Sequence, residues 1–382
     1  MRATLFLLLL IIHISGNAQD LAFGKKMVDT LSSSAFWGRG YTKDGMKKAA
    51  NFLASQFKEY KLLPLNGNDY FQHYTFSINT FPGKMSVRIN DRLLVPGRDY
   101  IVAGSSKGMN ASGTLIQSDS IHFIDKNENL IVKLSDKLTM GISQTLGEFS
   151  IVEVKKNSLQ DIPQSYSIQI ENKYLKKFNA NNICAYVEGI ERPDSFIFIT
   201  AHYDHLGGLG SEVFFPGAND NASGVALLMN LARYYAKNPQ KYSIGFILFS
   251  GEEAGLVGSK YFTENPLISL GRIRFLINTD LAGTGIDGIT VVNASEFPKE
   301  LTMMKAVNDS MGLLKVINSR GKAANSDHYF FTESGVPSFF FYTLGGVSYY
   351  HDVFDRSETL PLNEHEDLFK LIIGFNEKLM GQ

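Results

Sequence analysis

Phe196-Ile197-Phe198-Ile199-Thr200-Ala201-His202-Tyr203-Asp204-His205 decides how the rest of this chain is read. An unbroken apolar run over 196–200 has no polar alternation, which describes a strand buried on both faces. It ends in a cluster of histidine and aspartate. In sheets covered on both sides, ligand sites lie in the crevice beyond the carboxyl ends of the strands. A buried strand that hands its chain directly to metal-ligating residue types therefore marks a candidate site.

The pattern repeats downstream. Residues 225–235 read as a helix with Leu228, Leu231, Ala232 and Tyr235 along one side, and 244–249, 273–277, 288–292 and 337–342 read as further strands. Continuous apolar strands separated by helices predict an α/β fold with a mixed, mostly parallel sheet and helices on both faces. Ser250-Gly251-Glu252-Glu253 follows one such strand and Asn278-Thr279-Asp280 another. Gly217-Ala218-Asn219-Asp220-Asn221-Ala222-Ser223-Gly224 and Tyr350-His351-Asp352 complete the set. Two histidines with several carboxylates are donors that zinc accepts.

Upstream, residues 24–80 read as helices, the clearest over 46–57 with Ala49, Phe52, Leu53 and Phe57 at helical spacing. Residues 83–177 differ. Short β-like runs at 85–89, 100–103, 129–134, 149–154 and 165–170 alternate with Gly, Asn, Asp and Ser turns, without a convincing amphipathic helix. This region reads as a β-rich insert, with 19–82 and 178–382 forming one domain around it.

The amino terminus reads as an export leader. Arg2, an apolar run over 3–12 and the small-residue stretch Gly16-Asn17-Ala18 describe a signal peptide over 1–18. The run is too short to span a bilayer, and no later segment is long and apolar enough. The expectation is an exported protein, periplasmic or extracellular, with no integral membrane segment after cleavage. Cys184 is the only cysteine, so no intramolecular disulfide is possible.

Composition excludes other classes. Of 382 residues, 44% are hydrophobic and 20% charged, as in ordinary globular proteins. Lys and Arg number 37 against 38 Asp and Glu, so no basic field points to nucleic acid. There is no HExxH helix and no GxSxG elbow, and Ser223 reads as opening a helix. Gly207-Gly208-Leu209-Gly210 is a turn and not a nucleotide fingerprint. Nothing in the sequence decides the oligomeric state.

In order, His202-Tyr203-Asp204, Asp220-Asn221-Ala222-Ser223-Gly224, Gly251-Glu252-Glu253-Ala254-Gly255, Asn278-Thr279-Asp280 and Tyr350-His351 resemble the motifs of the secreted dizinc aminopeptidases, metallopeptidase family 28. That family also includes glutamate carboxypeptidase, glutaminyl cyclase and the non-catalytic transferrin receptor. The likeness covers 180–360 and extends more weakly to Trp37-Gly38-Arg39-Gly40-Tyr41. It implies a zinc-exopeptidase fold, two zinc ions and peptide substrates. Asp220 would bridge the ions, with His202 and Asp280 on one and Glu253 and His351 on the other. Glu252 would be the general base toward a metal-bridging water, and Tyr350 an oxyanion donor. Asp204 would accept the remaining N–H of His202 from the second shell. Members of the family with a protease-associated insert place a β-domain before the metal motifs, so the resemblance implies a protease-associated-like lid over 83–177, although no distinctive motif identifies one here.

Each residue has a plainer reading. His202 alone could be a hydrogen-bonded core histidine, and Asp220 could cap the helix that starts near Ala222. Glu252-Glu253 could be an acidic pair heading the next helix. Asp280 could be a turn aspartate, and Tyr350 could pack beside Tyr349. His328, in Ser326-Asp327-His328, competes with His351 as the last ligand. His205 reads as second-shell or exposed. The leading reaction is removal of one N-terminal residue from peptides. The alternatives are glutaminyl cyclisation, carboxypeptidase or dipeptidase activity, and a receptor-like binding module. The sole tryptophan, Trp37, lies far from the motifs in sequence, against the tryptophan-rich cyclase pocket, and no ligand is missing as a dead scaffold would require.

Overall fold

The structure is a computed structural model that describes residues 21–381. The expected signal peptide, 1–18, lies outside the described residues. A nine-stranded sheet forms the centre, in the order Leu63–Pro64, Lys173–Val187, Tyr242–Phe249, Arg192–His202, Ile273–Thr279, Ser338–Thr343, Ile289–Val292 and Ile317–Ser319, with Phe71–Thr80 also pairing with Lys173–Val187. Neighbouring strands from Tyr242–Phe249 through Ser338–Thr343 are parallel. Lys173–Val187 and Ile289–Val292 flank them antiparallel. This is the mixed, mostly parallel sheet expected.

Alternate residues of the strands enter different cores, as the two-residue period of a strand requires. Ile197, Ile199 and Ala201 pack with the helices Gly24-containing Leu21–Leu31, Gly224–Lys237 and His365–Met380. Phe196 and Phe198 face the opposite way, onto Phe262 and Phe331 of the helices Val257–Glu264 and His328–Glu333. Helices thus cover both faces. Because the central strands are parallel, the chain segments after His202, Phe249 and Thr279 emerge at one edge of the sheet.

The region after Phe81 builds a four-stranded and a five-stranded sheet with a hydrophobic core of its own. Leu206, Leu209, Phe215 and Val353 from the larger sheet's loops enter that second core. Met109–Thr114 and His122–Asp125 are strands as well, the first too polar and the second too short for the sequence to signal one.

One expectation needs correction. Residues 24–80 are helical over Leu21–Leu31 and Gly45–Glu59, but Phe71–Thr80 is a strand. There Tyr74, Phe76 and Ile78 are buried while His73 and Thr75 are exposed, the period of a strand and not a helix. Lys173–Val187 is one long strand, with a register shift between Leu175 and Phe178.

Candidate active site

His202 is the last residue of its strand and is 1% exposed. Its Nε2 lies 3.4 Å from Asp220 Oδ1 and 3.3 Å from Asp280 Oδ1. Asp280 directly follows the Ile273–Thr279 strand, and its second oxygen accepts a hydrogen bond from Ser326 Oγ at 3.1 Å. On the other side, His351 Nε2 lies 3.2 Å from Asp220 Oδ2 and 3.0 Å from Glu253 Oε2. Asp220 therefore offers one oxygen to each histidine.

The loop that carries Asp220 is held through its main chain. The Asp355 carboxylate accepts the N–H groups of Asn219 at 2.9 and 3.0 Å and of Asp220 at 3.0 Å. The Arg39 guanidinium, fully buried, donates to five main-chain carbonyls: Tyr203 and Leu31 at 2.9 Å, Pro216 and Gly217 at 2.8 Å, and Asp220 at 3.2 Å. Five donors meet five acceptors, so the fork is saturated. Gly217 begins the loop at φ 59°, where a side chain would run into the His205 ring. Ser223 does not cap the following helix; its hydroxyl donates to the Asn219 carbonyl and accepts from Ala282 N–H.

Gly251, at φ 71°, turns the chain between the Tyr242–Phe249 strand and the two glutamates. His205 Nδ1 lies 2.6 Å from Glu253 Oε1, and His205 is completely buried, which rules out the exposed reading. Glu253 is thus gripped by His205 on one oxygen and His351 on the other. Glu252 donates its main-chain N–H to Asp204 Oδ1 at 3.2 Å, while its carboxylate receives no hydrogen bond among the described residues. Asp204 also accepts from Tyr41 Oη at 2.9 Å. The nearest acceptor to His202 Nδ1 is the main-chain carbonyl of Asp204 at 3.2 Å, with the Asp204 carboxylate at 3.9 Å.

The electrostatics fit a cation. Burial and Asp220 push the Glu253 carboxyl up, but His351 and His205 hold it at about 2. Burial opposes charge on His351, yet Glu253 and Asp220 keep its imidazole protonated to about 11. Burial likewise resists a charged His202, while Asp280 and Glu252 draw its affinity for a proton well above the ordinary value. Divalent cations held by the same acids would leave the imidazoles neutral as ligands. Donor atoms of His202, Asp220 and Glu253, and of His202, Glu252 and Asp280, lie within 4.8 Å of one another in each trio, close enough to share an ion.

Burial raises Glu252 well above the usual carboxylate range; His202 opposes this and Asp327, Asp280 and Glu253 reinforce it. Tyr350 is half exposed, and its ring stacks on His351 with centroids 3.8 Å apart. His328 is not in the cluster. Its buried ring packs against Phe340, with no hydrogen-bond partner at either nitrogen among the described residues.

Sheet and donor set together define an α/β protein with a candidate metal centre at its strand ends. The chain belongs to peptidase family M28, whose profile matches residues 182–375 and so spans His202, Asp220, Glu252, Glu253, Asp280 and His351. It is 26% identical over 208 residues to aminopeptidase YwaD from Bacillus subtilis (strain 168), covering 53% of this chain and 44% of that protein. A probable zinc metalloprotease from Pyrenophora tritici-repentis is 35% identical over 123 residues, 32% of this chain and 26% of that protein. The matched part of this chain thus spans less than half the length of these relatives. Among solved structures, a zinc aminopeptidase from Bacillus subtilis superposes with a TM-score of 0.70 at 19% identity, over 94% of this chain and 95% of that one. The aminopeptidase from Aneurinibacillus sp. strain AM-1 gives 0.67 at 19% identity, over 94% of both chains. At this identity the likeness establishes the fold.

Proposed function

We propose that this chain is a zinc-dependent aminopeptidase that removes the N-terminal residue of peptides. The carrying observation is the two-sided position of Asp220, with His202 at 3.4 Å from one oxygen and His351 at 3.2 Å from the other. In this reading Asp220 would be shared between two zinc ions, with His202 and Asp280 holding one and Glu253 and His351 the other. Bound zinc would supply Lewis acidity toward the scissile carbonyl and a water that ionises near neutral pH.

The side chains do the rest. Glu252, unhindered by hydrogen bonds and with a raised proton affinity, takes the proton of the attacking water and passes it to the leaving amine. The Tyr350 phenol, held protonated by burial and the nearby acids Asp220 and Glu253, donates to the developing oxyanion. Asp204 orients two partners: its main-chain carbonyl faces His202 Nδ1, and its carboxylate fixes the Glu252 main chain. Residues 19–82 with 178–382 form the peptidase domain around the 83–177 insert. The leader over 1–18 directs export, to the periplasm or outside the cell. No helix among the described residues is long and apolar enough to cross a membrane.

Mass spectrometry of an unblocked peptide that begins with glutamine, incubated with the zinc-loaded protein from Gln19 onward, tests the reaction. Stepwise loss from the amino end, stopped by a chelator, is the expected result. Ammonia loss without cleavage would instead mean a cyclase, and shortening from the other end a carboxypeptidase. Asp220→Ala should lose metal from both sites; a variant that still holds two zinc ions would remove Asp220 as the bridge.

A further inference from the structure

One loop of the β-rich region, 137–144, lies between the strands Leu130–Ser135 and Ser150–Lys155 and approaches the candidate metal centre. Three of its residues touch the segments that carry His351 and Glu253. Lys137 Nζ donates to the Ser348 carbonyl at 3.1 Å, and Gln144 Nε2 donates to the Ala254 carbonyl at 2.8 Å. Between them, Met140 makes two contacts with His351. Its N–H donates to the His351 carbonyl at 3.2 Å, and its own carbonyl lies 2.7 Å from His351 Nδ1. The Met140 side chain is 2% exposed and sits in the core of the β-rich region.

His351 needs such support. Its φ of 56° is a left-handed conformation that a residue with a side chain adopts only where its surroundings hold it. At 2.7 Å from a carbonyl, which can only accept, Nδ1 must carry the hydrogen. In the neutral ring the lone pair then lies on Nε2, the atom that faces Asp220 and Glu253.

We propose that the 137–144 loop is a positioning part of the metal centre, in which the Met140 carbonyl fixes His351 as the Nδ1–H tautomer with Nε2 aimed at the ion. This rests on the reading of His351 as a ligand. Metal-binding histidines generally anchor their second nitrogen, and loss of such an anchor weakens metal binding by roughly 10–100-fold. Here the anchor comes from outside the segment that matches the family, so the β-rich region completes the centre as well as adjoining it.

Lys137→Ala combined with Gln144→Ala removes the flanking anchors and leaves Met140, His351 and Glu253 intact. Cobalt titration of the metal-free protein, followed by calorimetry and visible absorption, reads the result. His351→Ala identifies which cobalt depends on His351. In the loop variant the affinity for that cobalt should fall by about tenfold or more, with a changed absorption band, and the remaining cobalt should bind as in the wild type. Unchanged binding, or equal weakening of both cobalt ions, overturns the proposal. If His351→Ala itself binds cobalt like the wild type, the ligand reading fails first. Independently of folding in the variants, nitrogen-15 spectra of histidine-labelled, zinc-loaded wild-type protein should show His351 metal-bound at Nε2 with hydrogen on Nδ1. The reverse assignment overturns the proposal.

Discussion

Arg39 Nη2 donates to the main-chain carbonyl of Asp220 at 3.2 Å, so a buried cation near the amino terminus holds the backbone of the residue at the centre of the donor set. Its other donors hold Leu31, Tyr203, Pro216 and Gly217. Among the described residues no carboxylate pairs with it. Burial lowers the guanidinium to about 10, against the attraction of Asp220 and Asp355, and it remains charged at neutral pH.

Arg39→Lys tests this arrangement. An ammonium has three donors for five carbonyls, which leaves at least two of them unsatisfied at about 1–3 kcal/mol each. Urea unfolding should therefore show a loss of roughly 2–6 kcal/mol. A loss below about 1 kcal/mol would mean that those carbonyls find other partners.

Glu252→Gln should keep its full metal content while turnover falls by roughly 10²–10⁴-fold, because a base is removed and a ligand is not. Metal analysis beside the peptide assay separates the two. Loss of metal would show that the roles of Glu252 and Glu253 are reversed.

His205→Ala removes the donor that lies 2.6 Å from Glu253 Oε1. Chelator competition should show zinc held about 10–100-fold less tightly. His205→Asn, whose amide nitrogen can occupy the place of Nδ1, should recover most of that loss. Equal weakness in both variants would mean that His205 acts through packing alone.

His365 gives a pH dependence away from the metal centre. It is fully buried, with Nε2 at 3.2 Å from Asn230 Nδ2, and burial lowers its imidazole to about 4. In the unfolded chain it titrates near 6.5. As pH falls below that value the unfolded state takes up a proton that the folded state refuses, so stability declines until about pH 4 and then levels. The full effect is on the order of 3 kcal/mol. The stability difference between wild type and His365→Leu, measured in urea at equal zinc loading, should shrink as pH drops from 7 to 4.5. A constant difference would remove His365 as the source.

Ile197, Ile199 and their neighbours announce a buried strand, and His202, Glu252, Glu253 and Asp280 stand where such strands end. Hydrophobic runs and donor types are properties of adjacent residues, so fold class and candidate ligands were open to inspection. Phe71–Thr80 carried its strand period in Tyr74, Phe76 and Ile78, but polar residues between them masked it.

The sequence by itself therefore determined the α/β architecture and the residue types that converge at its strand ends. Only the tertiary structure decided what holds them in place: the carbonyls gathered by Arg39, the grip of His205 on Glu253, the Asp355 cradle, and the contact of Met140 with His351 across 211 positions. Arg39 and Met140 both work through main-chain carbonyls, and every residue has one. No choice of side chain at Leu31, Pro216 or Met140 can signal which carbonyl will be used; chain packing alone selects it.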